Sequence, residues 1–195
     1  MATPPDFSAG AVLTAAQMNQ VAAWRTIPTV SGTGAAVSSS GLVTITAGTT
    51  TGCYINNCFT DDYRTYRVII SQAKGSTTSY IYLRLSVGGS ANSTASSYSR
   101  ASTLATTTAI NASGETNNLF YIGPTTTTNG LNCTIDVFNP KIAVQTGYNI
   151  ASSHANGDTV VGGGRHNQAT AYDGLFLASN AGTFDCFVEI YGFNS

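Results

Sequence analysis

The two histidines, His154 and His166, are the residues of this chain best suited to metal binding or proton transfer. They stand twelve positions apart in segments rich in Gly, Asn and Ser. No cluster of cysteines and carboxylates accompanies them at the short spacings of a zinc site. We therefore predict no metal site and no cofactor, and we expect both histidines on the surface.

The four cysteines, Cys53, Cys58, Cys133 and Cys186, are predicted to serve packing. Cys133 and Cys186 alternate with apolar neighbours, as buried core cysteines do. The amino terminus has neither the basic region nor the apolar region of a secretory signal, so reduced thiols are expected. A Cys53–Cys58 disulfide, formed in a particle released into an oxidising medium, is the alternative.

Hydrolytic chemistry lacks a recognisable motif in this chain. No Gly-x-Ser-x-Gly elbow is present, and Gly162–His166 lacks the Lys-Ser/Thr of a phosphate loop, so we interpret it as an exposed tip. A glycosidase needs two carboxylates at a cleft. Asp61 and Asp62 are expected to cap a turn or to pair with Arg64 or Arg67.

The remaining acidic residues considered are likewise predicted to have a structural role rather than a catalytic one. Asp136, Asp185 and Glu189 alternate with core residues and are expected to pair with Arg84 or Arg100 across a sheet or subunit boundary. We predict that the protein is not an enzyme. The alternative is an enzyme that degrades polysaccharide.

Binding chemistry is better represented. Tyr and Asn on the loops of a β scaffold supply amphipathic area and hydrogen bonds at little entropic cost, as contact with saccharide or protein requires. Ordinary turn residues are an equal alternative for any one of them. The candidate receptor contacts are Tyr98, Asn111, Asn117, Asn118, Asn129, His154, Asn156, His166, Asn167 and Tyr172.

Composition excludes several partners. Eight Lys+Arg against nine Asp+Glu give a net charge of −1, with no basic stripe for a phosphate backbone, so nucleic acid is not expected. No apolar run approaches the roughly 20 residues of a membrane span. Charged residues are only 9%, against about 25% in an average domain. Such a surface suits association with copies or neighbours.

Two alternating segments organise the predicted fold. Tyr80–Val87 alternates strictly and is predicted as a strand with one apolar face, whereas Tyr63–Ile70 is predicted as a strand that alternates at first and ends in a continuous apolar run. Gly75–Thr78 between them predicts a β-hairpin. Further short strands are divided by Gly, Ser, Thr and Asn, which is typical of a mainly β, jelly-roll-like β-sandwich over residues 28–195. These strands are predicted at Gly34–Ser38, Leu42–Thr46, Cys53–Asn56, Tyr98–Ala105, Leu119–Ile122, Leu131–Phe138, Ile142–Tyr148, Thr159–Gly163, Gly174–Ala178 and Phe184–Phe193.

A short α-helix is predicted before the sandwich, within residues 1–27. Thr14 and Gln17 form a capping box, and a helix follows from Ala15 to about Trp24. A helix this short is marginal alone in water. We therefore interpret residues 1–27 as an attachment segment whose contact residues are Met18, Val21 and Trp24.

Three segments resemble bacteriophage tail proteins. Phe7–Asn19 is similar to the amino-terminal Ala-Gly-x-x-Leu-Thr-Ala-x-x-x-Asn element of tail fibre and minor tail subunits. Asn56–Ile70, followed by Leu83-Arg84-Leu85, resembles the core of a tail-fibre or receptor-binding domain. The ending Gly182–Gly192 is similar to the closing Tyr-Gly strand of these domains. Because the head begins so close to the helix, a short, knob-like tail protein is favoured over a long fibre.

The resemblance implies a virion structural protein with a β-sandwich head, commonly trimeric, that contacts the host cell surface. It implies other tail proteins and a host glycan or protein as partners, synthesis in the host cytoplasm and a place in the virion. A polysaccharide-degrading tail enzyme and a capsid-decorating head fibre are the alternatives. The last strand is apolar on both faces, and four tyrosines, Tyr63, Tyr66, Tyr80 and Tyr82, give the predicted hairpin aromatic area on a side that a lone sandwich would leave wet. We expect a homotrimer whose subunit boundary includes Tyr66, Arg67, Tyr82 and Arg84.

Overall fold

The computed structural model describes residues 24–154 and 156–193, and these contain strands but no helix. The predicted helix, with Met18 and Val21, lies outside the described residues except at its end. There the prediction is wrong, because Trp24 lies in a strand. The strands are β1 (Trp24–Arg25), β2 (Thr29–Ser31), β3 (Ala35–Val37), β4 (Val43–Ile45), β5 (Gly52–Asn56), β6 (Thr65–Gly75), β7 (Ser79–Val87), β8 (Ser90–Ala91), β9 (Tyr98–Ala105), β10 (Ile110–Asn117), β11 (Phe120–Thr125), β12 (Leu131–Phe138), β13 (Thr146–Ser153), β14 (Thr159–His166), β15 (Gly174–Ser179) and β16 (Phe184–Phe193).

Two antiparallel sheets form a β-sandwich, as the sequence predicts. The ten-stranded sheet has the order β10-β9-β14-β13-β12-β6-β16-β4-β3, with β1 also paired to β16. The six-stranded sheet has the order β11-β7-β15-β5-β2, with β8 also paired to β7. The strand bounds predicted for β9, β12 and β16 agree with those observed.

The core lies between the two sheets and follows the period of two that a strand imposes. Val68 and Ile70 of β6, Ile81 and Leu83 of β7, and Val188 of β16 are all buried. All four cysteines belong to the same core and are free thiols. The expected packing role of Cys133 and Cys186 is thereby confirmed.

The predicted hairpin is wrong, because β6 and β7 lie in different sheets. β6 pairs with β12 and β16, whereas β7 pairs with β8, β11 and β15. The alternating pattern predicts which side chains of each strand face the core. The same pattern fits two strands paired in one sheet and two strands that face each other across the core from different sheets. The chain turns tightly at Gly75, the last residue of β6, since a Cβ there would lie 2.5 Å from the Thr77 carbonyl oxygen.

The ten-stranded sheet is wider than the sheet it covers. The edge strand β11 of the smaller sheet lies over β12 and β13, and β14, β9 and β10 extend beyond it. β10 was not predicted, because its sequence contains one large apolar residue, Ile110, and most of its side chains are exposed. It is held by its pairing with β9. This overhang creates a concave surface beside β11.

Candidate functional site

The outer face of the six-stranded sheet carries five half-buried aromatic rings, which we term the aromatic face: Tyr54, Tyr80, Tyr82, Tyr121 and Phe176. The rings form a chain with centroid distances of 4.6 Å for Tyr54 and Phe176, 6.4 Å for Phe176 and Tyr82, 6.2 Å for Tyr82 and Tyr80, and 5.4 Å for Tyr80 and Tyr121. These separations are those of favourable aromatic pairs. The face is therefore a continuous surface across β5, β15, β7 and β11.

Alternation and one glycine position these rings. Tyr54 stands between the buried residues Cys53 and Ile55, so its side chain faces outward. Phase and register place Phe176 directly opposite Tyr54 on the neighbouring strand. A Cβ at Gly52 would lie 2.5 Å from the Phe176 ring. The absence of a side chain at Gly52 thus provides the space in which the Phe176 ring packs against the sheet.

Two arginines flank the aromatic face. The Arg84 guanidinium carbon lies 5.1 Å from the Tyr82 ring centroid, and Arg84 Nε donates to the Asn118 carbonyl oxygen at 2.9 Å. Arg100 lies 4.7 Å from the Tyr121 centroid. Burial raises the pKa of the Tyr121 hydroxyl above its usual value, with Arg100 opposing the shift. Tyr121 is therefore neutral at physiological pH.

A cleft lies where the overhanging strands pass the edge strand β11. It has a volume of about 250 Å³ and is lined by Arg100, Ser102, Leu104, Ser113, Tyr121, Pro124, His154, Asp158 and Val160. Tyr121 thus belongs both to the aromatic face and to the cleft. The cleft combines apolar walls with hydrogen-bonding groups of both kinds.

The charged groups of the cleft are held by neighbours. Arg100 Nη2 lies 3.0 Å from Glu115 Oε1 on β10, directly opposite in the strand register. Arg100 Nε is buried and has no hydrogen-bond partner among the described residues. Asp158 accepts a hydrogen bond from Asn156 Nδ2 at 2.6 Å. The guanidinium is therefore fixed in place with a donor that no described group uses.

His154 forms the buried end of the cleft. Its Nε2 lies 3.1 Å from Ser152 Oγ, and Ser152 Oγ donates to the Ile122 carbonyl oxygen of β11. Burial lowers the pKa of His154 below its usual value, with Asp158 opposing the shift. A Cβ at Gly123 would lie 2.5 Å from the ring, so this glycine makes the space that the histidine occupies. The predicted surface position of His154 is wrong, because the residue is only 7% exposed.

Tyr98, His166 and Tyr172 are predicted receptor contacts that the structure places in the interior instead. His166 Nδ1 donates to the Ser97 carbonyl oxygen at 3.1 Å, and its Nε2 accepts from the Tyr172 hydroxyl at 2.6 Å. Asn92 Nδ2 in turn donates to the Tyr172 oxygen. The Tyr98 ring stacks on His166 with centroids 4.2 Å apart. The expectation of surface contacts is wrong for these three, because each completes a buried hydrogen-bond network.

The predicted asparagines stay at or near the surface. Asn111, Asn129, Asn156 and Asn167 are exposed, and Asn117 and Asn118 are half-buried at the end of β10. Among the predicted contacts, His154 lines the cleft, and Asn156 donates a hydrogen bond to Asp158, the carboxylate that lines the cleft. Whether any of them contacts a receptor stays a prediction.

The four predicted subunit contacts do not share one surface. Tyr66 is fully buried in its own core, where its hydroxyl donates to the Thr60 carbonyl oxygen at 2.7 Å. Its expected place at a boundary is therefore wrong. Arg67 lies on the outer face of the ten-stranded sheet and is bound to Asp136. Tyr82 and Arg84 lie together on the opposite side, at the aromatic face.

Arginine–carboxylate pairs account for several acidic residues, with partners other than those predicted. Arg67 Nε lies 2.7 Å from Asp136 Oδ1, and Glu189 pairs with Arg25.

No group of three metal-ligating side chains occurs among residues 24–154 and 156–193. In the same residues, no helix is long and apolar enough to cross a membrane.

The glycines of Gly162–His166 are not an exposed tip, which corrects the prediction. They lie within β14, between β13 and β9. A Cβ at Gly164 would lie 1.9 Å from the Ser99 carbonyl oxygen. The glycines therefore allow β14 to approach its neighbour β9 closely.

Sequence reasoning did not find the cleft. Arg100, Tyr121 and Asp158 come from three separate strands or loops and share no motif. The available signal was the outward phase of Tyr121, which stands between the apolar residues Phe120 and Ile122 of one strand.

Comparisons with known proteins define no family for this chain. It matches no family model and no curated protein. Among solved structures, it is similar to arcelin-5, a lectin-like defence protein from Phaseolus vulgaris, over 84% of this chain and 92% of that chain, at 9% identity and a TM-score of 0.20. A score that low does not relate two folds, so function has to be argued from the chain itself.

Proposed function

We propose that this protein is a structural component of a bacteriophage tail whose β-sandwich head binds the host cell surface. The proposal is supported by the resemblance of Phe7–Asn19, Asn56–Ile70 and Gly182–Gly192 to tail proteins, and by the all-β architecture. The low share of charged residues, 9%, fits a chain packed among other virion subunits. As part of the same proposal, the sandwich has a jelly-roll-like topology and is preceded by a short amino-terminal helix.

The aromatic face is the structural observation that carries the homotrimer within this proposal. Five half-buried rings and Arg84 on the outer face of one sheet match the composition of an interface core, where aromatic residues and Arg are enriched. We assign this face to the subunit boundary of a homotrimer. Tyr82 and Arg84 keep their predicted role, and Tyr54, Tyr80 and Phe176 join them.

Two further parts of the chain have their own roles in this proposal. Residues 1–27, with Met18, Val21 and Trp24, attach the head to other tail proteins. The cleft and its neighbouring asparagines face the host. The protein is made in the host cytoplasm, is not an enzyme, and binds neither nucleic acid nor the membrane interior.

Binding and turnover measured on the same preparation test the proposal. Labelled protein is expected to bind intact host cells saturably and to release no reducing ends from host capsule or wall glycan. Steady release of reducing ends, abolished by replacing one carboxylate, would show a depolymerase instead. Antibody labelling of intact particles is expected at the tail, and labelling of the capsid would show a head-decorating protein.

A further inference from the structure

The cleft beside β11 is built to receive a small ligand. Its volume of about 250 Å³ lies below the roughly 300–1,000 Å³ of sites that enclose drug-sized molecules. One six-membered ring, or the terminal unit of a longer chain, is therefore the size of ligand that it accepts.

The lining groups select a ring that is polar at its edge and apolar on its face. Leu104, Pro124 and Val160 provide aliphatic contact. Ser102 and Ser113 carry hydroxyl groups, 3.3 Å apart, that both donate and accept. Such a mixture suits a molecule with C–H groups and several hydroxyl groups.

The charges of the cleft exclude an acidic ligand. The positive charge of Arg100 is matched by Glu115 at 3.0 Å, and Asp158 adds a carboxylate to the lining. His154 is uncharged at neutral pH, because burial lowers its pKa. The sum is about one negative charge, which repels a carboxylate, sulfate or phosphate ligand.

A peptide strand is disfavoured by the edge of β11. Pro124 has no N–H to donate to an added strand, and the Ile122 carbonyl oxygen already accepts from Ser152. An extended peptide would therefore find two of the backbone groups of this edge missing or occupied.

We propose that this cleft binds one unit of a neutral saccharide, with Arg100 and Asp158 supplying the hydrogen bonds to its hydroxyl groups. Arg100 donates to ring or hydroxyl oxygens, since a guanidinium has five N–H donors and accepts none. Asp158 accepts from hydroxyl groups on the opposite side. The inference rests on the proposed host-surface binding for its biological role and names the ligand class of that binding.

Two substitutions on one edge strand test the site. Ser113→Trp fills the cleft, whereas Ala112→Trp places the same side chain on the other face of β10, because side chains alternate along a strand. Ser113 and Ala112 are both exposed, so both variants are expected to fold, which circular dichroism checks.

Calorimetry and saturation-transfer NMR should use the methyl glycosides of glucose, galactose, mannose, rhamnose, N-acetylglucosamine and N-acetylgalactosamine, with glucuronic acid and N-acetylneuraminic acid as acidic arms. At least one neutral glycoside is expected to bind the wild-type protein. Ser113→Trp should weaken it by about tenfold or more, and Ala112→Trp by less than about twofold. Tighter binding of the acidic arms, equal binding by Ser113→Trp, or no binding of any neutral glycoside would overturn the proposal.

Cell binding by the same three proteins separates this inference from the proposed function. Host cells bound equally well by Ser113→Trp and wild type would overturn the cleft as the attachment site, and attachment itself would stand. Saccharide binding without any cell binding would leave the cleft assignment in place and contradict host attachment.

Discussion

The Tyr172 hydroxyl donates a hydrogen bond of 2.6 Å to His166 Nε2 inside the sandwich. Because Nε2 accepts this bond, it carries no proton, and the single proton of the neutral ring is on Nδ1, which donates to the Ser97 carbonyl oxygen. Burial accordingly lowers the pKa of His166 below its usual value of about 6.5. The folded protein therefore binds fewer protons than the unfolded chain when the pH falls below about 6.5.

The free energy of unfolding is expected to fall as the pH decreases from 7 to 5.5. Each histidine contributes at most about 1.4 kcal/mol per pH unit, since the unfolded state takes up a proton that the folded state does not. Urea denaturation at several pH values measures the slope. His166→Gln should reduce the slope as well as the stability. An unchanged slope in that variant would show that His166 does not titrate as described.

The aromatic face is expected to hold the trimer together. Phe176→Ser combined with Tyr82→Ser removes two central rings of the face and should yield monomers in light scattering, because interface energy concentrates in buried aromatic anchors. Phe187→Ser is the matched control, since Phe187 is exposed on the outer face of the ten-stranded sheet. A wild-type monomer at micromolar concentration would contradict the homotrimer and make the aromatic face a ligand platform.

Gly164 is expected to tolerate no side chain. In Gly164→Ala the new Cβ meets the Ser99 carbonyl oxygen, so strands β14 and β9 must move apart, at a cost of about 3 kcal/mol. Gly114→Ala on β10, which pairs with the other edge of β9, is the control, because its Cβ would lie 3.6 Å from the nearest atom. Its effect should stay within about 0.5 kcal/mol. Thermal and urea unfolding compare the two, and equal losses would argue against the close approach at Gly164.

The four thiols are expected to resist modification in the folded protein. Burial raises the pKa of Cys53 to about 11 and raises the pKa of Cys58, Cys133 and Cys186 as well. Since the thiolate is the reactive form, Ellman's reagent at pH 8 should label none until denaturant is added and four afterwards. Two labelled thiols after denaturation would indicate a Cys53–Cys58 disulfide.

Much of the sandwich was predictable because alternation is a local property. The bounds of β9, β12 and β16 follow from the residues of each strand alone, as does the burial of Cys133 and Cys186. A period of two places every second side chain in the core whatever the strand pairs with. The outward phase of Tyr80 and Tyr82 was determined in the same way.

Pairing was decided only by the tertiary structure. β6 and β7 are neighbours in sequence but lie in opposite sheets, because a turn of small polar residues suits either a hairpin or a crossing between sheets. β10 contains too few apolar residues to be recognised, and its hydrogen bonds to β9 create it.

The candidate site shows the same division. The types of Tyr98, His166 and Tyr172 indicated polar chemistry, but their burial depends on three chain segments meeting around Asn92 and Ser97. The cleft likewise exists because the ten-stranded sheet extends past β11 and brings Arg100, Tyr121 and Asp158 together. Sequence determined which face each strand turns to the core, since that preference is local. Only the fold decided which distant residues share a surface, since that depends on strand order.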